Sequence, residues 1–360
     1  MTLILTSEEE QLRESVRRFA AERSPLSRLR ELMASGQPYD PSVWKQMSAQ
    51  LGLAGLIIPA EHGGAEAGYS ALSVAMTELG ARLVPSPLLA VTLAAGTLLK
   101  LGDGPAQASL LPGIASGELI VTLAMAGPGT VRASGDMLTG EVAPVLNAGQ
   151  AQVFLVPAIR DGQPSLFAVQ ADAAGLDVRP LTSIDHSRSV GAVTLSGTPG
   201  RPLSGDAAAA LGFAADLANL ALSSEQLGGM GACLAMTAGY AKIRVAFGQP
   251  IGAFQGVKHR LANVRTAWEL AHAALRDAAR AGDERPRQFP AAAAVARVMV
   301  SAPYLEAATA AMQLHGGIGF TWEHDAHLYY KNAISQEALF GGPGEQLDRL
   351  AALLAEDPVT

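Results

Sequence analysis

Cysteine is nearly absent from this chain. Cys233 is the only one in 360 residues. That excludes a disulfide framework and any cysteine-based metal cluster, and a lone thiol fits a reducing compartment. Charge is scarce too: Asp, Glu, Lys and Arg supply 16% of the residues, against roughly 25% in an ordinary soluble domain. So little charge argues against a coiled coil, and 49% hydrophobic residues argue against disorder. The net charge of −7 leaves no basic footprint for nucleic acid. No apolar run reaches membrane length. The longest, residues 84–99, spans 16 positions and holds Pro85 and Pro87, short of the ~20 that a spanning helix needs. The first residues carry no basic region and turn acidic after position six, unlike a signal peptide. The expectation is a cytoplasmic protein without a membrane segment. Low charge itself has two explanations, a large core or large covered interfaces.

Periodicity divides the chain into three regions, expected as domains over 1–117, 118–203 and 204–360. The first is helical. Ser7 and Glu10 are spaced as a capping box, with Leu12, Val16 and Phe19 following at helical intervals. Asp40-Pro41 opens a second helix and Gly52 ends it. Further helices are expected over Tyr69–Leu83 and Pro105–Ala115, with a turn at Glu61-His62-Gly63-Gly64. In the second region, short β-branched or alternating runs at 119–123, 151–157, 165–169, 176–179 and 189–195 predict a small antiparallel sheet or barrel. The third is helical over 206–246, 254–281, 290–315 and 345–355, a four-helix bundle whose apolar helices are buried on most sides.

Two segments carry chemical information. Arg244-Val-Ala-Phe-Gly-Gln-Pro-Ile-Gly-Ala-Phe-Gln255 lies between two helices. A guanidinium and amide side chains at such a corner suit a phosphate or nucleotide, though a solvated corner is the plainer alternative. Gln313-Leu-His-Gly-Gly-Ile-Gly-Phe-Thr-Trp322 ends another helix. Its glycines permit close approach of a ligand to backbone N–H groups, though a glycine C-cap also accounts for them. It is not a dinucleotide fingerprint, because a helix and not a strand precedes it.

Taken together, and with Ile58-Pro-Ala-Glu-His-Gly-Gly64 and Thr77-Glu-Leu-Gly80, these segments resemble signatures of the acyl-CoA dehydrogenase family. The resemblance covers nearly the whole chain and is weakest over 118–200. It implies a helical N-terminal domain, a middle antiparallel β-barrel and a C-terminal four-helix bundle. It further implies FAD bound at a subunit interface, with the two C-terminal signatures reaching the ADP part of the neighbour's FAD. By resemblance, that cofactor-binding role falls on Arg244, Phe247, Gln255, Gln313, Gly316 and Gly317. Acyl-CoA is the implied substrate, and an electron-transfer flavoprotein the implied acceptor.

The resemblance fails where the reaction is carried out. The family abstracts the α-proton of the thioester with a glutamate, in a Tyr-Glu-Gly-Thr run before the last helix. Here that run is Phe340-Gly341-Gly342-Pro343, so Gly341 stands in place of the base. Some members place the glutamate on the long helix about 26 residues before the signature arginine; that count reaches Ala218 and Asn219. The family's flavin-ring motifs correspond to Thr122–Gly129 and Ala143–Asn147, which lack the usual hydroxyls and acids. No catalytic residue is therefore assigned. The pattern is similar to the non-catalytic β-type subunit of α2β2 actinobacterial acyl-CoA dehydrogenases of steroid side-chain degradation. Such a chain would complete the FAD site of a catalytic partner in a heterotetramer. Two alternatives stay open: an active homo-oligomer with Glu225 or Glu345 as an unusual base, and a non-enzymatic assembly or acyl-CoA-binding protein.

The remaining candidates read as structural. Glu345 is placed to cap the last helix, and Glu225, among Ser223, Ser224 and Gln226, as a paired carboxylate. His324 and His327 lie three apart but lack matching carboxylates or cysteines for a metal. Asp185-His186-Ser187 is contiguous and gives no evidence of a spatial triad. Cys233 reads as a small core residue.

Overall fold

The structure is a computed structural model that describes residues 4–125 and 129–356. Among the described residues six α-helices come first: α1 (Ser7–Arg23), α2 (Leu26–Ser35), α3 (Pro41–Leu51), α4 (Gly68–Gly80), α5 (Leu88–Leu101) and α6 (Gly104–Ser116). The capping box of α1 lies one residue earlier than expected. Thr6 Oγ1 accepts from Glu9 N at 3.2 Å, and a Glu9 carboxylate oxygen accepts from Thr6 N at 2.7 Å. Both frames offer a hydroxyl and an acid. The observed one turns Glu9 inward, where its carboxylate takes a hydrogen bond of 2.8 Å from the buried Arg276. α3 follows the sequence reading: Asp40 caps Ser42 N at 2.8 Å, Pro41 opens the helix, and Gly52 closes it at φ 64°. α5 occupies the apolar stretch that is too short for a membrane, and it is buried along almost its whole length.

Eight strands follow among the described residues: β1 (Val121–Leu123), β2 (Val131–Ser134), β3 (Met137–Leu146), β4 (Val153–Arg160), β5 (Gln163–Gln170), β6 (Leu176–Pro180), β7 (Val190–Pro199) and β8 (Arg201–Leu203). They form one sheet in the order β6-β7-β3-β2-β4-β5-β8, with β1 beside β4. The sheet is mainly antiparallel, with β1–β4 and β2–β4 paired in parallel. β2 and β3 are not legible in the sequence. Gly140 and Pro144 interrupt the alternation of β3, and its pairing with β7 shifts register at two places.

The rest is helical: α7 (Ala207–Ile243), a two-residue hairpin of β9 (Val245–Ala246) and β10 (Gln249–Pro250), α8 (Gln255–Glu284), α9 (Phe289–His315), α10 (Ala326–Ala338) and α11 (Pro343–Glu356). α10 joins the four expected helices. Its buried face includes His327, Asn332 and Gln336, so it carries little hydrophobic period. α7 is long and apolar enough to cross a membrane by composition, yet 67% of its most apolar window is buried within the fold. Its glycines allow close helix contact: a Cβ at Gly228 would lie 1.9 Å from the Thr77 carbonyl oxygen.

By packing, the residues form two units. One holds residues 1–31, 69–84 and 219–360; the other holds 32–68 and 85–218. In the second unit the sheet and α5 share a core that includes Leu93, Leu98, Val121, Phe154 and Phe167. In the first, the core is built on α7, α9 and α10, with Met230, Arg297, Tyr304 and Ala308 fully covered.

Candidate functional site

Both signature segments lie in the first unit, and the structure brings them to one surface. α7 ends at Ile243 because the chain turns into the β9–β10 hairpin, closed by Ile251 N donating to Arg244 O at 2.8 Å. Phe247 sits at its tip with φ 52° and is 96% exposed. A bulky apolar residue held out in a left-handed turn is unusual and signals a surface meant to meet something. Arg244 is exposed, with its guanidinium free for an external anion among the described contacts. Phe254 meets Phe247 edge to face at 6.2 Å and precedes Gln255, the exposed first residue of α8.

Phe247, Ile251, Phe254, Val257, Arg260 and Gln313 line an open hollow of about 470 Å³. Arg260 ties the two segments together by donating to Gln313 Oε1 at 3.1 Å. Of the six residues assigned by resemblance, Phe247 and Gln313 line this hollow directly. Arg244 and Gln255 flank it in the chain. Gly316 and Gly317 start a short 3-10 turn just after Gln313. A Cβ built at Gly316 or Gly317 meets nothing within 4 Å, so no internal packing explains glycine at 317; at Gly316, φ of 65° does. Phe254, Val257 and Arg260 escaped the sequence reading. Phe254 lay inside the motif but was passed over, and Arg260 is one of several exposed cations on α8.

The positions corresponding to the family's base are also in view. Phe340 and Gly341 form a left-handed turn, with φ 57° and 91°. A Cβ added at Gly341 would meet Glu345 Oε2 at 2.9 Å and Gln346 Nε2 at 3.0 Å. Gln346 donates to Phe340 O at 3.3 Å and accepts from Asn219 Nδ2 at 2.8 Å. Asn219 and the Phe340–Gly341 turn are thus linked through the neutral amide of Gln346. Glu225 accepts from Gln336 Nε2 at 3.0 Å, the structural pairing expected of it. Glu345 is exposed in the first turn of α11. Behind this loop Arg297, fully buried, donates to Gln226 Oε1 at 2.7 Å, Gln336 O at 2.6 Å and Leu339 O at 2.9 Å. Burial pushes its pKa down to about 10, which still leaves it charged at neutral pH.

In the second unit, Thr122 Oγ1 is buried and donates to Leu146 O at 2.6 Å. That hydroxyl is committed to the sheet. Ala126, Gly127 and Pro128 of the Thr122–Gly129 stretch lie outside the described residues. Asp185 caps its own turn by accepting from Ser187 N at 2.9 Å and Ser187 Oγ at 2.6 Å, consistent with a local motif. Cys233 is buried, and burial pushes its thiol pKa up.

Comparison with known proteins gives concordant results. The acyl-CoA dehydrogenase N-terminal domain model matches residues 6–118, and the C-terminal domain model matches residues 213–354. The chain is 36% identical to the acyl-CoA dehydrogenase IpdE2 of Mycobacterium tuberculosis over 98% of each chain. It superposes on a solved Tcur3481–Tcur3483 steroid ACAD at TM-score 0.89 with 32% identity, covering 97% of this chain and 98% of that one. It superposes on the ChsE4–ChsE5 complex of M. tuberculosis at TM-score 0.92 with 29% identity, over the full length of both.

Proposed function

The chain belongs to the acyl-CoA dehydrogenase family, flavin-dependent oxidoreductases acting on CH–CH bonds, and from that premise we propose that it is the non-catalytic subunit of a heteromeric enzyme. It completes the FAD site of a catalytic partner subunit, in a heterotetramer that dehydrogenates an acyl-CoA thioester at Cα–Cβ. The single observation that carries this reading is an asymmetry. Of the residues that would face a neighbour's cofactor, Arg244, Phe247, Gln255 and Gln313 stand exposed, with Gln313 held by Arg260. The places for the chain's own base hold Gly341, Ala218 and Asn219, the first and last of them linked through Gln346.

The residues present fit a dinucleotide. Arg244 offers a guanidinium fork to phosphate oxygens. Phe247 and Phe254 supply aromatic faces, and Gln255 and Gln313 supply amides. The unobstructed backbone at Gly316 and Gly317 admits close contact. When bound, FAD supplies the electron acceptor of the reaction; this chain's part is to hold and shield it. The base belongs to the partner, and an electron-transfer flavoprotein reoxidises the complex. A steroid side-chain CoA is the acyl class favoured by the steroid ACAD relative. The proposed setting is the cytoplasm.

The test is the flavin-to-protein ratio of the chain purified alone and with its partner. Flavin loading only in the complex, and a drop of about tenfold or more in retained flavin for Arg244→Ala, are expected, since a charge-assisted bidentate contact is worth roughly 1.5–3 kcal/mol. Full loading and acyl-CoA oxidation by the lone chain would sink the proposal in favour of a homo-oligomeric enzyme.

A further inference from the structure

The glycine segment is followed by a cluster of imidazoles that the proposed function does not use. His315, the last residue of α9, packs against His324 with ring centroids 4.2 Å apart, and against Tyr240 of α7 at 4.4 Å. His327, on the first turn of α10, meets Trp322 edge to face at 4.8 Å. Three histidines thus bracket the loop from residue 316 to residue 326.

Hydrogen bonds fix the orientation of two of the rings. His315 Nδ1 lies 2.7 Å from Ala311 O, an acceptor only, so Nδ1 carries the proton. Its Nε2 is buried with no partner among the described residues. His324 Nδ1 accepts from Ala326 N at 3.1 Å and so caps the start of α10. Protonation at Nδ1 would set two donors against each other and release that cap. His327 is 5% exposed and neither ring nitrogen has a partner among the described residues.

The surrounding charges are cationic. Arg30 of α2 donates to Trp322 O, to His324 O at 3.0 Å and to Asp325 Oδ1 at 2.8 Å. Lys331 of α10 lies 4.1 Å over the Trp322 ring. Asp325 is the carboxylate facing the cluster, and Arg30 already engages it. Burial first, then His315, holds His324 below the ordinary imidazole range; burial and Lys331 do the same to His327.

We propose that Arg30, His315, His324 and His327 form a proton-sensitive clip that sets the conformation of the glycine segment, with Arg30 as its positioning residue. Above the ordinary imidazole pKa His324 and His327 are neutral, His324 packs on His315 and His327 against Trp322, Arg30 clasps the loop, and Gly316–Phe320 holds its turn. As pH falls, the first proton to enter the cluster removes the cap on α10 or puts an unpaired cation beside Arg30 and Lys331. The loop then opens. The sign follows from linkage: a depressed imidazole pKa contributes stability that is present above about 6.5 and is lost as pH falls through the depressed value. A consequence for the assembled enzyme, flavin release at mildly acidic pH, rests on the function proposed above; the clip itself does not.

Hydrogen exchange separates the two. In the lone chain, and after correction for intrinsic exchange, peptides over 316–326 are expected to exchange up to about tenfold faster at pH 5.5 than at pH 7.5, the ceiling set by an imidazole of ordinary pKa, about 6.5, in the open loop. Peptides over β4 and β5 serve as the unresponsive control. His324→Asn keeps an acceptor for Ala326 N but cannot take up a proton, and is expected to cut the ratio to about threefold or less. Arg30→Ala is expected to raise exchange in the segment at both pH values, with partial rescue by Arg30→Lys. An unchanged wild-type ratio, or a His324→Asn protein that responds like wild type, overturns the clip. Pulse proteolysis read at the same two pH values distinguishes local opening from a variant that fails to fold. Because no flavin is needed, a lone chain that shows the exchange response but a complex that takes up no flavin would reject the proposed function and leave the clip standing.

Discussion

Gly341 occupies the position given to the base by resemblance, and its surroundings make that substitution hard to reverse. Its φ of 91° favours glycine, and the space for a side chain is filled by Glu345 and Gln346. Gly341→Glu is expected to destabilise the protein by about 1–2 kcal/mol, the cost of a left-handed non-glycine residue, and to confer no flavin-dependent oxidation on the lone chain. Urea titration and an acyl-CoA assay check both. Arg297 is the opposite case. It ties the Gln226 side chain to two carbonyls at the end of α10. Arg297→Met is expected to cost roughly 3 kcal/mol or more, since several buried acceptors lose their donor at about 1–3 kcal/mol each. A lowered urea midpoint at unchanged m-value would show it. Cys233 illustrates a residue read correctly from composition: buried with a raised pKa, it is expected to ignore a thiol reagent until the protein is unfolded.

At the scale of elements, α1 is fastened to α8 by a buried pair. Glu9 takes hydrogen bonds from Arg276 at 2.8 and 3.1 Å. Burial raises the Glu9 pKa, but Arg276 and the Thr6 backbone outweigh it and leave a net lowering. A depressed carboxylate contributes stability that is present above its ordinary value of 4.5 and is lost as pH falls below it. The acid limb of a stability–pH curve should therefore steepen below 4.5, and Glu9→Gln should flatten it. Helix and strand legibility followed the same physics. α3, α8 and α9 announce themselves through caps, glycines and period. α10 does not, because part of its buried face is polar: Asn332 Oδ1 accepts from Tyr304 Oη and Gln336 Nε2 donates to Glu225 Oε2, on other helices. β3 is hidden by a glycine, a proline and register shifts that its pairing with β7 accommodates, and β2 by being four residues long.

At the scale of the whole molecule, the scarcity of charge is accounted for by the core, and the apolar surface beside α8 is a separate feature. α7 is charge-poor because much of it lies in a core. The first half of α8 is different: none of residues 255–270 is buried, although Leu270 is 55% exposed and Phe247, Val245 and Ile243 stand out beside its start. A surface of that kind is expected to be covered. Light scattering at micromolar concentration should find an oligomer, either of this chain or with its partner. Phe247→Asp combined with Val245→Asp is expected to shift it to monomer without altering the far-ultraviolet circular dichroism.

The sequence by itself determined the succession of helices, strands and helices, the family, and the two signature segments, because capping residues, periodicity and motif spacing are local. The tertiary structure alone decided which residues those segments share a surface with. It brought Arg260 to Gln313, joined Asn219 to the Gly341 loop through Gln346, and stacked His315 on His324 behind the clasp of Arg30. Those arrangements depend on side chains far apart in sequence competing for the same buried volume and the same hydrogen bonds, and no local pattern encodes the outcome of that competition.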